Sequence, residues 1–457
     1  MAFSTGRQGA IPTMDSLTGI IAAARAGIRS NLSLAILIFF HTVICCVSLV
    51  QASHYQSYIP YDGHRLVYAI IAVAAFYVIS FLFVVARFSF GYFVGFYFYT
   101  MVLGFLWIVN FTQYSYNQKL AGFSAAASLL LFLLPALLIK APVRRNLELS
   151  PKAFERLLDL LLALSVVTIA AASTYNFKLI PLDRIYDFRD GLNFPTGIRY
   201  LIGIASSVLL PFLFACYWTL NYRWRAAVVL LLLLLFYPIT LSKFAFFSPA
   251  WIVALLIISK MVESRTTVIL SLLLPILAGS ILIATLPAQD HPFSYFDKVN
   301  IRMIATPSSA MDIYNDYFFR HPLTRFCQIS FLKPFVYCPY QDPLSVTMER
   351  AYGFGNLNAS LFATEGIASV GLLFAPLAAL GCGLVISLGN RLSAGLPPHF
   401  ILISGALLPQ VLLNVPLTTV LLTHGAAALF LLWYIAPQAM LKGGDNEPAP
   451  TMPHGLG

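Results

Sequence analysis

About twelve stretches of this chain are apolar over ~17 residues or more, long enough to cross the roughly 30 Å of hydrocarbon in a bilayer. That repetition limits the fold more than any other feature. The stretches run near 32–50, 66–86, 91–111, 122–139, 157–173, 200–220, 226–242, 244–260, 267–288, 366–388, 399–415 and 417–436, with Asn414 and Pro416 the only punctuation between the last two. Of 457 residues, 59% are hydrophobic and 10% charged, and the mean hydropathy is +0.81. A soluble domain cannot hide so much apolar surface, so the sequence predicts an all-α polytopic membrane protein with a transmembrane domain over 32–436. The segment 1–31 carries Arg7, Asp15, Arg25 and Arg29 and no short apolar core ahead of a cleavage site, so the first span is expected to act as its own insertion signal. The tail over 437–457 is rich in glycine and proline and reads as disordered.

Charge gives the orientation. With the N-terminus cytoplasmic, the inner segments collect Arg87, Lys140, Arg144, Arg145, Arg223, Arg225 and Arg265 among others, whereas the short outer connections hold only Arg65, Lys119 and Lys243. An asymmetry of that sign places both termini inside. Two longer outer segments break the pattern: a loop over 174–199 with Lys178, Arg184, Arg189 and Arg199, and a large loop over 289–365 with Lys298, Arg302, Arg320, Arg325, Lys333 and Arg350. Long loops translocate whatever their charge, so any one of these arginines reads equally well as a solvated surface residue. As a set they suggest more. Arginine forks match phosphate oxygens two at a time, and a lipid-linked diphosphate is an anion that such a cradle would meet at a membrane surface.

Connections longer than about 15 residues are uncommon unless they have work to do, and the large loop is polar and aromatic. Its first part predicts an amphipathic helix after Pro307, capped by Ser308 or Ser309, lying on the membrane surface with Met311, Tyr314, Tyr317 and Phe318 on one face. Arg302 precedes that helix and Arg320-His321-Pro322 ends it, so both arginines are expected at one interfacial pocket. Further on, Cys327 and Cys338 stand in a compartment where disulfides form, separated by a loop that a bridge could close; two separate thiols are the alternative. Phe331, Phe335, Tyr337 and Tyr340 read first as interfacial belt residues and second as platforms for sugar faces. The last part places Asn356 and Asn358 on one side at alternate positions and Glu365 at the mouth of a helix, where a carboxylate can hold an arginine or accept a proton. Lys243, in a turn flanked by Pro238 and Pro249, either snorkels to the headgroups or adds a positive arm to the same site.

Pumps and proton-coupled transporters place ionisable groups in mid-membrane. Here the 18 acidic residues map to loops or span ends, with Asp159 and Glu365 borderline, and His41 and His424 are the histidines within spans. That weighs against the transporter class. No spacing of histidine, cysteine and carboxylate suggests a metal ion, and no cofactor is implied.

Three stretches carry a family likeness: Arg302 followed by Asp312-Ile313-Tyr314 and His321-Pro322-Leu323; Asn356-Leu357-Asn358 leading to Glu365-Gly366 and Gly371; and the Lys243 turn after a span. With an arginine-bearing outer loop after the fifth span and the largest after the ninth, the chain resembles the bacterial polysaccharide polymerase and O-antigen ligase superfamily, the Wzy-like proteins. Ligases of that superfamily usually carry a His-Asn pair where this chain has Asn356-Leu357-Asn358, and many members have arginine where Lys243 stands; both departures favour a polymerase. The resemblance implies a GT-C-like glycosyltransferase of the bacterial inner membrane, inverting and metal-independent, with its active site facing the periplasm. It would move a growing glycan from undecaprenyl diphosphate onto the non-reducing end of an incoming lipid-linked repeat unit, among membrane lipids and beside a chain-length regulator and a flippase of the same pathway. Arg302, Arg320, Glu365 and His321 are then the catalytic candidates. Arg184, Arg189, Arg199, Arg325, Lys243, Asn356 and Asn358 are the substrate-binding ones. Ligation of finished glycan to a lipid acceptor and flipping of a glycolipid are the alternatives.

Overall fold

The computed structural model describes residues 14–182, 184–189, 191–286, 293–329, 331–355, 357 and 360–442. Among these the chain is helical, with no strand, and ten helices are long and apolar enough to cross a membrane. The first nine are α1 (Met14–Ser53), α2 (Gly63–Val85), α3 (Phe90–Ile108), α4 (Gln118–Leu138), α5 (Pro151–Ser173), α6 (Thr196–Thr219), α7 (Arg223–Thr240), α8 (Lys243–Met261) and α9 (Ser264–Thr285). Two shorter helices, α10 (Thr306–Arg320) and α11 (Leu344–Tyr352), precede the tenth, α12 (Leu361–Ser393). Short connections make successive helices antiparallel, so their ends gather at two faces.

At the face where α2 ends and α3 begins, basic side chains close helix ends. Arg145 donates to the carbonyls of Leu392, Ala394 and Ala436, Arg265 to those of Val84 and Ala86, Arg391 to that of Ala141, and Lys140 to that of Arg87. Helix C-termini leave carbonyls without donors and carry partial negative charge, so these cations stabilise the ends they touch. The opposite face, where α1, α3, α5, α7 and α9 end, carries the cavities and is called the site face below.

α3 has aromatic rings on every side, and every one of its residues is buried. A helix apolar all round is one wrapped by others. Its close neighbour is the segment expected on the membrane surface, and the structure corrects that expectation. From Phe293 the chain winds without a break to Arg320, π-helical over Asp297–Ala305 and α-helical after it, and all of Thr306–Phe318 is buried. Small residues make room for it. A Cβ on Gly104 would come within 2.1 Å of the Ser308 Oγ, and one on Gly279 within 1.8 Å of the Asn300 Oδ1. Ser308 caps nothing, because its hydroxyl donates to the Met101 carbonyl at 3.0 Å. Asn300 donates to the Ile276 carbonyl at 2.8 Å and to the Ser48 Oγ at 2.9 Å. Amphipathic periodicity shows that a helix has a polar face; here that face meets polar protein groups.

The carboxyl-terminal part also departs from a row of simple spans. Glu365 and Cys382 would lie about 25 Å apart on a straight helix, yet Cys382 Sγ stands 3.1 Å from Glu365 Oε2. Gly371, at φ 74° and ψ 174°, turns the chain back on itself. The first arm of α12, π-helical over Leu361–Ile367, is therefore re-entrant, with the Phe362 ring 4.8 Å from that of Phe98 between centroids. Exposed backbone polar groups inside a membrane need partners. The carbonyls at this turn have them: Thr324 N–H donates to Ala368 at 2.8 Å, Arg325 N–H to Ser369 at 3.1 Å and Ser124 Oγ to Leu372 at 2.6 Å. The expected spans at 399–415 and 417–436 are broken into the helices Pro398–Ser404, Leu408–Leu412, Leu417–Leu422 and Ala426–Ile435. Two tryptophans tie the breaks, the partly buried Trp251 with its Nε1 on the Ala406 carbonyl and the buried Trp433 with its Nε1 on Ser404 Oγ.

Candidate functional site

Where α10 emerges at the site face it opens a cavity of about 560 Å³, lined by Asp316, Tyr317, Arg320, His321, Tyr340, Asp342, Arg350 and Tyr352 among others. α10 supplies one wall because Asp312, Asp316 and Arg320 recur every four residues and so share a face. Asp316 is 3% exposed. It accepts from Arg320 on one oxygen and from the Tyr352 hydroxyl, at 2.7 Å, on the other. The hydrogen bond and charge of Asp316 raise the Arg320 guanidinium further above its ordinary range. One turn deeper, Asp312 accepts from the Tyr116 hydroxyl. Burial pushes the Asp312 carboxyl up to about 6, the Asp316 charge adding and hydrogen bonds from Tyr116 and Thr112 opposing. Burial first, then the neighbouring carboxylates, push the Tyr114 hydroxyl up to about 12 and that of Tyr116 well above its ordinary range.

His321 ends α10 with its ring stacked 3.9 Å from that of Tyr317, nearly parallel. Its Nδ1 lies 2.8 Å from the Tyr317 carbonyl oxygen. A carbonyl only accepts, so Nδ1 carries the hydrogen and neutral His321 has Nε2 as a proton acceptor. Arg350, on α11, pairs with Asp342 across the cavity mouth. The Tyr340 hydroxyl donates to the Pro322 carbonyl at 2.6 Å, which holds that ring against Tyr317 and Phe318. Cys327 and Cys338 are bridged, with their Cα atoms 5.1 Å apart, and the closed loop leads straight into Pro339 and Tyr340 of the cavity wall.

Of the residues singled out from sequence, Arg320 and His321 meet here. Arg302 does not: with a continuous helix between them, it lies roughly 25 Å from Arg320 along the axis, exposed near Tyr58. The expectation that both arginines bracket one pocket is corrected by that helix. Glu365 is buried away from the cavity, accepting from the Thr418 N–H at 3.1 Å and from Cys382 in place of an arginine. Arg325 contributes its backbone to the α12 turn and exposes its side chain. Lys243 opens α8 behind the left-handed Leu241.

Arg184 pairs with Asp187, and Arg199 donates to the Phe194 carbonyl, both exposed. Asn356, Asn358 and the Arg189 side chain lie outside the described residues. The 174–199 loop frames a second cavity of about 460 Å³, lined by residues from Ser173 to Phe194 that include Tyr175, Phe177, Lys178 and Phe188; it shares no lining residue with the first. The basic residues of the two outer loops, read above as one set, are not gathered at one cavity: Arg320 and Arg350 line the first and Lys178 the second.

Asp316 and Asp312 were given no role at the site by sequence reasoning, Tyr116 and Tyr352 were not singled out there, and Arg350 was named only among the cations of the large loop. The spacing of Asp312, Asp316 and Arg320 was a usable signal for the first two. Nothing in the sequence pairs Tyr116 with position 312 or Tyr352 with position 316. No family description, no curated protein and no solved structure matches this chain.

Proposed function

We propose that the chain is a membrane-embedded glycosyltransferase that lengthens a polysaccharide by moving glycan from a polyprenyl diphosphate to a sugar hydroxyl of a second lipid-linked unit. The observation that carries this reading is the cavity at the end of α10. There Arg320, held by a buried carboxylate, and Arg350 stand beside a histidine whose Nδ1 hydrogen is fixed by a carbonyl. Leaving diphosphate develops negative charge, and guanidinium groups already aimed at that charge lower the barrier without reorganising. The acceptor hydroxyl oxygen forms the new bond to the anomeric carbon while the bond to the diphosphate oxygen breaks and its electron pair leaves with the phosphate. His321 Nε2 takes the hydroxyl proton. Asp316, itself held by the Tyr352 hydroxyl, holds the Arg320 guanidinium, and the rings of Tyr317, Tyr340 and Tyr352 offer flat faces to sugars. The likeness to the Wzy-like polymerases and the excess of basic residues at the opposite face support placing this chemistry on the outer side of a bacterial inner membrane.

The test is reconstitution of the purified protein in vesicles with a purified lipid-linked repeat unit, with and without chelator. Chain growth that disappears in His321→Asn and Arg320→Ala is the expected result. Translocation of the unit without any new glycosidic bond would overturn the proposal in favour of a flippase. That second reading has one observation behind it, the re-entrant arm of α12 and the broken helices beside it, because discontinuous helices also build transport sites.

A further inference from the structure

We propose that the disulfide-closed segment from Cys327 to Cys338 is a membrane-interface finger, whose rings Phe331, Phe335 and Tyr337 insert among the lipid headgroups beside α12. The inference does not depend on the reaction proposed above. Its first support is depth. The finger is tied at its base to the α12 turn through Thr324 and Arg325. That turn is hydrogen-bonded in turn to Ser124, which lies ~9 Å inside the Gln118 end of α4 at ~1.5 Å per residue. The base of the finger is therefore anchored ~9 Å below the outer end of α4, at ~1.5 Å per residue.

The second support is what surrounds it. Leu373, Phe374 and Leu377 of α12 and Phe123 of α4 are widely exposed on the flank of the bundle, the surface a bilayer covers. The rings of the finger are exposed as well, Phe331, Phe335 and Tyr337 at 60%, 84% and 88%. The following aromatic residue does the opposite, because Tyr340 turns inward and is hydrogen-bonded in the cavity wall. The loop thus sorts its rings, one to the cavity and three outward.

Charge agrees with a lipid occupant. Between the two cysteines there is no acidic residue, and Lys333 is the single ionised group, suited to anionic headgroups and able to snorkel. Aromatic side chains favour the headgroup level for the same amphipathic reason wherever helices leave a bilayer. The disulfide fixes the finger beforehand, so inserting it orders little further chain.

The full-length protein carrying Phe335→Trp or, separately, Tyr337→Trp is placed in phosphatidylethanolamine and phosphatidylglycerol vesicles, and the emission of the five native tryptophans is subtracted using the parent. The expected added emission is blue-shifted, shielded from aqueous acrylamide, and lost when the lipids carry bromine on the upper acyl carbons. With Cys327→Ser and Cys338→Ser added, the shielding should weaken. Emission that is red-shifted, open to acrylamide and indifferent to bromolipid overturns the proposal. So does emission that shifts only when a soluble oligosaccharide is added, which would make the rings a sugar platform.

Discussion

The cavity of about 560 Å³ is walled on one side by a helix that rises out of the protein core, whereas the cavity of about 460 Å³ is framed mainly by connecting chain. In the first, Arg320 leans on a carboxylate that is 3% exposed. In the second, Arg199 reaches a carbonyl of its own loop and Arg184 an exposed neighbour three residues away. Both regions looked alike as lists of arginines. The difference lies behind the arginines: a guanidinium fixed by a buried partner is already oriented for an anion, while a solvated one must be ordered by the ligand it binds.

The sharpest break of this comparison is kinetic. Arg320→Ala should lower the rate of glycan transfer by about 10²–10³-fold, and Arg199→Ala should leave it within about threefold, both read as initial rates in vesicles. Equal losses would put the two cavities back into one site.

Next comes the wall. Opening the disulfide with Cys327→Ser and Cys338→Ser should cost about 2–3 kcal/mol for a loop of this length. Hydrogen exchange should quicken from Thr324 to Asp342 and stay unchanged over the 173–194 lining; loss of protection in both regions would mean that they are coupled.

Seating comes third. Gly104→Ala forces a methyl against Ser308 and should cost about 1–3 kcal/mol in detergent melts. Asn176→Ala removes the donor shared by the Pro238 and Ile239 carbonyls beside the second cavity and should cost about 1 kcal/mol. Only the glycine variant is expected to slow transfer, and a slow Asn176→Ala enzyme would contradict that.

The smallest effect is one of pH. Because burial raises the Asp312 carboxyl from 3.8 to about 6, the folded protein holds that proton more tightly than the unfolded chain does. Stability from this group is complete below the unfolded value and is lost as pH rises through the folded one. Asp312→Asn has no such proton, so its melting temperature should gain on that of the parent between about pH 4 and about pH 7. A constant difference would mean that Asp312 is solvated.

How far the site could be read in advance depended on what each residue needed. Arg320 and His321 were visible because they sit where a helical pattern stops beside a proline. The span at α3 was visible because it is apolar on every side, although its place at the centre was not. The segment from Phe293 to Arg320 was misplaced because its period fits a water-facing polar stripe and a protein-facing one equally well. Glu365 was expected to hold an arginine or accept a proton because charge is easily counted in sequence; a backbone N–H 53 residues away and a thiol are not.

Length and apolarity alone made this a polytopic helical membrane protein, since no other fold buries so much hydrocarbon-like surface and satisfies its backbone within each segment. Basic residues gathered at alternate connections sorted the helix ends into two faces. Tertiary structure decided which helix lies at the centre, where Gly371 turns a helix back, and which of the arginines is backed by a buried acid. Those outcomes depend on close approach between residues such as Gly104 and Ser308, or Tyr352 and Asp316, and sequence periodicity records which face a residue occupies without recording what that face will meet.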